Sequence, residues 1–168
     1  MISPRIRRLT SDYEQLRSKF DGHPAVRIDP IGTVPPEKYR ITYSVPSLRL
    51  DDKNRPVEVQ QTVVDIELPS DYPRSKPRAV AHGSVFHPNF GEYVCIADFW
   101  SPAQGLTDIV AEIGQMLQWQ LYNVQSPLNA VAADWAVKHK EELPIGKVDM
   151  LSAGATFELN IKQLPEES

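Results

Sequence analysis

The stretch FHPNFGEYVCIADFWSP, from Phe86 to Pro102, concentrates the side chains able to do chemistry. Its Cys95 is the only cysteine of the chain; His87-Pro88-Asn89 precede it, and Asp98 and Trp100-Ser101-Pro102 follow. A cysteine nucleophile works as the thiolate, and an ordinary thiol supplies only a few per cent of that form at neutral pH. No histidine stands at a spacing that indicates a protease-like Cys–His dyad. His87 is separated from Cys95 by Pro88 and the loop, and His23, His82 and His139 fall on other elements. Thiol chemistry without a strong base suits exchange of an acyl group that is already activated, such as a thioester. There the leaving group is good and the protein mainly positions the reactants. Asn89 brings an amide donor, which can stabilise the oxyanion of a tetrahedral intermediate and is worth on the order of 10²–10³ in rate when well placed.

Each of these residues also has a plainer reading. Buried cysteines are common. His87 can hold the loop through backbone hydrogen bonds, and Asn89 can form a turn after Pro88. Trp100 reads as a loop anchor before a substrate contact, and Asp98 as a solvated acid or a proton acceptor. One cysteine with scattered histidines has no metal-ligand spacing, so no metal site is expected.

The flanking elements must position this segment. Ile6, Leu9, Tyr13, Leu16 and Phe20 recur at helical spacing, which predicts a helix from about Pro4 to Phe20 with Ser3 as cap. From Ala25 to Leu68 the period is two. Strands are expected at Ala25–Ile28, Tyr39–Val45 and Val57–Leu68, with Asp51–Arg55 as a polar turn, and a fourth at Arg78–His82. After Pro102 the helical period returns. Leu106, Ile109, Val110, Ile113, Met116, Leu117 and Leu121 line one helix; Leu128, Val131, Ala132, Trp135 and Val137 line a third that ends near Glu142. A helix, a four-stranded antiparallel meander, an irregular loop and two helices make an α+β fold.

Composition narrows the class. The chain has 168 residues, room for one domain with a real core; 41% hydrophobic and 24% charged residues are ordinary for a soluble protein. A net charge of −4 speaks against nonspecific nucleic-acid binding. A single cysteine fits a reducing, cytoplasmic setting. No apolar run approaches the roughly 20 residues of a membrane span, and the first residues are charged without an apolar core, so no secretory signal is expected. Residues 1–143 are expected to form the domain and 144–168 an extension, in which Ala155 to Ile161 alternate like a strand, an edge strand of this body or one added to a partner's sheet, and the last residues are expected to be mobile. Arg5, Arg7 and Arg8 lie mostly off the apolar face of the first helix, as a solvated face or a docking surface for an acidic partner.

In combination these motifs resemble the ubiquitin-conjugating (E2) enzyme family. Tyr72-Pro73…Pro77 looks like the family's Tyr-Pro…Pro turn, and His87-Pro88-Asn89 like its HPN motif. Val94-Cys95-Ile96 looks like the active-cysteine segment, Trp100-Ser101-Pro102-Ala103 like the stretch opening the next helix, and Ser126-Pro127-Leu128 like the family's Asp-Pro-Leu. The likeness runs from about Ile6 to Leu143, and it implies a UBC-like fold. It implies that Cys95 accepts the C-terminal carboxyl of a ubiquitin-like protein from an E1-type activating enzyme, as a thioester, and passes it to an amine of a target protein. Asn89 would assist acyl transfer or hold the loop, with His87, Pro88, Asp98, Trp100 and Ser126 in support. Arg5, Arg7 and Arg8 would face the E1, and Arg74, Pro102 and Ala103 would meet partners. No cofactor is implied for this chain, since ATP is used by the E1. Three departures stand out. The loop is shorter by about two residues between Asn89 and Cys95 and by about three between Cys95 and Trp100. Arg74 replaces an apolar residue common in members that use RING-type ligases. Ser126, beside neutral Gln125, replaces an acid thought to orient or deprotonate the incoming lysine. By analogy, that divergence around a kept motif resembles bacterial E2-like proteins of ubiquitin-like conjugation operons, some of which act in antiphage defence. The alternative is a non-catalytic E2 variant that only presents a ubiquitin-like protein.

Overall fold

A computed structural model describes residues 1–96 and 99–151 of the chain. Helix α1 spans Pro4–Phe20. The Ser3 hydroxyl accepts from the Ile6 backbone N–H at 3.2 Å, and Pro4 occupies the first turn, where its missing N–H costs nothing. Leu9, Leu16 and Phe20 bury one face of the helix, as their spacing dictates.

The strands are β1 (Val26–Ile31), β2 (Lys38–Tyr43), β3 (Ser47–Leu50), β4 (Pro56–Val59), β5 (Thr62–Glu67) and β6 (Arg78–Ala81). The main sheet has the order β1-β2-β5-β6 and is antiparallel throughout, with Val26 opposite Tyr43, Tyr43 opposite Thr62 and Val64 opposite Ala81. The four-stranded antiparallel meander expected from the period-two pattern is therefore present. One expected strand needs correction, and one strand was not foreseen. The stretch Val57–Leu68 is not one strand: it breaks at Gln60-Gln61, and its first half pairs with β3 in a separate hairpin closed over the Asp51–Arg55 turn. The strand β3 itself, only four residues long and set off by Pro46, carried too short an alternation to read.

Helix α2 spans Leu106–Leu117 and α3 spans Ala130–Lys138, followed by a 3₁₀ turn at Lys140–Glu142. Leu121, expected on the line of α2, lies beyond its end. Trp119 takes a positive φ of 59° after the helix and turns the chain away. The apolar face of α3 also differs from expectation: Val131 and Val137 are exposed, and Ala132, Ala133 and Ala136 are buried. Small alanines let this short helix approach Trp119 and Phe86 closely.

Two apolar clusters share the interior. The larger joins α1, the main sheet and α2, and the Tyr43 hydroxyl donates across it to the Val110 carbonyl at 2.7 Å. The smaller joins Leu48 of the hairpin, Phe86, Trp119 and the alanines of α3. The segment 144–151 lies against α2. Met150 is buried there, and Gln118 exchanges hydrogen bonds with the Val148 backbone at 2.9 and 3.1 Å. The strand expected at Ala155–Ile161 lies outside the described residues. Among the described residues no helix is long and apolar enough to cross a membrane.

Candidate active site

The segment after β6 is irregular, and its shape is fixed by polar contacts between backbone and side chain. His87 is fully buried, wedged between the rings of Phe90 and Trp119 at 5.4 and 4.7 Å. Its Nδ1 accepts from the Asn89 N–H at 3.0 Å, and its Nε2 lies 3.0 Å from the Leu121 carbonyl, an acceptor, so Nε2 carries the proton. Burial pushes its pKa down to about 4, against a smaller opposing effect of the bond to Leu121. With both ring nitrogens occupied, His87 holds the segment and has no lone pair to offer Cys95. Pro88 completes the frame, its carbonyl accepting from Leu128 and Asn129 at 2.9 and 3.1 Å, which ties the HPN turn to the start of α3.

The shortened loop closes on itself. Cys95 donates its N–H to the Asn89 carbonyl at 2.9 Å, and Phe90 bridges to Val94. Val94 in turn donates to the Ala79 carbonyl of β6 at 2.8 Å, so the sheet edge supports the cysteine directly. Cys95 is half-buried with a free thiol. It opens into a cleft of about 390 Å³ lined also by Asn89, Glu112, Met116, Tyr122 and Asn123. Asn89 is oriented there: its Oδ1 accepts from the Asn123 N–H at 3.0 Å. That leaves its Nδ2 donors without a partner among the described residues, in the wall of the cleft that holds the thiol.

The remaining candidate residues disperse. The Trp100 indole donates to the Pro73 carbonyl at 2.7 Å and packs on Tyr72, so it anchors the segment to the Tyr-Pro turn. Arg8 is turned inward. It pairs with Asp12 at 2.9 Å and donates to the Tyr72 hydroxyl at 3.0 Å and to the carbonyls of Pro102 and Gln104. Arg5 bonds Glu37 at 2.6 Å and the Pro69 carbonyl at 3.1 Å. Of the three helix arginines, Arg7 is the one whose guanidinium has no partner among the described residues. Arg74, Pro102, Ala103 and Ser126 are exposed, and Ser126 does not line the cleft. Asp98 lies outside the described residues.

Sequence reasoning missed Asn123, Tyr122 and Glu112. The first two follow α2 in a stretch without periodicity and carried no signal. Glu112 did carry one: it stands three residues after Ile109 and four before Met116, inside an otherwise apolar stripe. Burial pushes its carboxyl up from the usual carboxylate range, and the charge of Asp108 one turn earlier adds to that.

A search of the curated proteins returns no match. A family model described as ubiquitin-conjugating enzyme matches residues 53–144, more than half of the chain. The matched span takes in the Tyr72-Pro73 turn, the HPN segment, Cys95 and both helices that follow, around an α+β core of the UBC type. Members of the family are conjugating transferases that work with E1 enzymes and ubiquitin-like proteins. The chain belongs to the ubiquitin-conjugating enzyme family.

Proposed function

We propose that this E2-like chain carries a ubiquitin-like protein as a thioester on Cys95, received from an E1-type enzyme, and transfers it to an amine of a target protein. The observation that carries this reading is the pairing of a free, half-buried thiol with Asn89 in one cleft. The amide of Asn89 is oriented through Asn123, and its N–H donors are left over among the described residues. In the transfer the amine nitrogen attacks the thioester carbonyl carbon. The resulting oxyanion is met by an N–H donor such as the Asn89 amide, and the C–S bond then breaks to release the Cys95 thiolate. Thioester exchange needs no general base at the cysteine, which agrees with the occupied ring nitrogens of His87. A role limited to presenting a ubiquitin-like protein would leave the thiol and the free amide without a use. Trimming of the loop around a kept motif supports placing the chain in a bacterial conjugation system of the antiphage type, and an E1-like or ubiquitin-like gene beside its own is expected there.

The test is incubation with an E1-type enzyme, ATP and the ubiquitin-like protein of the same gene neighbourhood. A covalent adduct that disappears on reduction and is absent in Cys95→Ala is expected. No adduct on the wild-type chain under those conditions overturns the reading.

A further inference from the structure

Glu112 stands on the wall of the Cys95 cleft, midway along α2. Its Oε2 is buried with no hydrogen-bond partner among the described residues. Leaving such an oxygen unmatched costs on the order of 1–3 kcal/mol or more, so packing alone gives α2 no reason to place an acid inside its apolar stripe. Among the described residues no lysine or arginine lines the cleft, its titratable side chains are Glu112, Cys95 and Tyr122, and Asp108 is the charged neighbour on the helix itself. A lone carboxylate of this kind lacks a cation with N–H donors, and a primary ammonium supplies both.

We propose that Glu112 is a catalytic residue that receives the acceptor amine: its carboxylate binds a lysine-type ammonium in the cleft and takes a proton from it for attack on the acyl group held by Cys95. The inference rests on the thioester reading above and names the group that reading lacks. The acid common in the family is replaced by Ser126, which is exposed and outside the cleft. Glu112 supplies the acid from α2 instead. The protons balance. The ammonium nitrogen begins with three and the amide keeps one; one passes to Glu112 and on to solvent, and one ends on the Cys95 sulfur as the C–S bond breaks and the C–N bond forms. Burial of the carboxyl makes it a stronger base for this step than an exposed glutamate.

The test loads Cys95 chemically, by thiol exchange with a short peptide thioester, and follows single-turnover discharge. Chemical loading bypasses the E1, so a failure of enzymatic loading, which overturns the earlier reading, is scored separately. With free lysine at neutral pH, Glu112→Gln is expected to discharge at least about tenfold more slowly than wild type, and Glu112→Asp to recover part of the loss. With hydroxylamine, which is mostly neutral at that pH and needs no deprotonation, the Gln variant is expected to stay within about twofold of wild type. Wild-type rates with lysine, or equal losses with both nucleophiles, overturn the proposal. Independently of how the variant folds, wild-type discharge to lysine is expected to fall less steeply with decreasing pH across the neutral range than the roughly tenfold per unit that amine protonation alone produces, because Glu112 takes up the ammonium and not the free amine. A full tenfold fall per unit also overturns it.

Discussion

His87 sets the geometry of the candidate site without entering its chemistry. One imidazole nitrogen holds the Asn89 N–H, the other holds the Leu121 carbonyl, and the Asn89 carbonyl then holds Cys95. The ring must stay neutral to do this, because protonating Nδ1 removes the acceptor for Asn89. Its pKa of about 4 in the fold lies below the ordinary 6.5. Between those values the unfolded chain binds a proton that the folded chain does not. The stabilisation is therefore complete above about pH 6.5 and is lost as the pH falls toward 4, by about 3 kcal/mol in total. Urea midpoints of wild type and His87→Gln at neutral and acid pH check this. The wild type is expected to lose more stability on acidification than the variant, and equal losses contradict it. The sequence already favoured loop-holding as the reading of His87. It could not name the deciding partner, Leu121, which is 34 residues away.

Among the elements, α1 does more than cover the sheet. Arg8 reaches from it to the turn that opens α2 and to the Tyr72-Pro73 turn, and Trp100 joins the same corner through the Pro73 carbonyl. Asp12 is buried beneath this network, accepting from both Arg8 and the Tyr72 hydroxyl. Arg8→Ala is expected to destabilise the chain by about 3 kcal/mol, since it strands a buried carboxylate. Adding Asp12→Asn is expected to recover part of that loss. Arg7→Ala, with no partner to lose among the described residues, is expected to stay within about 0.5 kcal/mol of wild type. Thermal or urea unfolding of the three variants measures it, and an Arg8→Ala as stable as Arg7→Ala contradicts the corner's role. From sequence the three arginines were equivalent. Helical periodicity places them off the apolar face but says nothing of what stands beside that face.

Across the whole molecule, residues 144–151 close the side of α2 away from the solvent. A Cβ at Gly146 would come within 2.5 Å of the Gln118 Oε1 and 2.9 Å of its Cβ, closer than packed atoms allow. Gly146→Ala is therefore expected to push Gln118 aside and break its bonds with Val148. Hydrogen exchange at the Val148 amide measures it: loss of protection is the expected result, and protection as in wild type contradicts it. Sequence by itself determined the order of helix, meander, loop and helices, because periodicity and turn residues act over a few neighbours. It also put the cysteine and the asparagine in one short segment, with no histidine at dyad spacing, since those follow from residue type and order. Tertiary structure alone decided that Arg8 faces inward, that β3 and β4 form their own hairpin, and that Asn89, Cys95, Glu112 and Asn123 share one cleft. A period says which side of an element is apolar. What that side meets depends on the packing of residues far apart in the chain, and it is there that the acid on α2 comes to face the thiol's cleft.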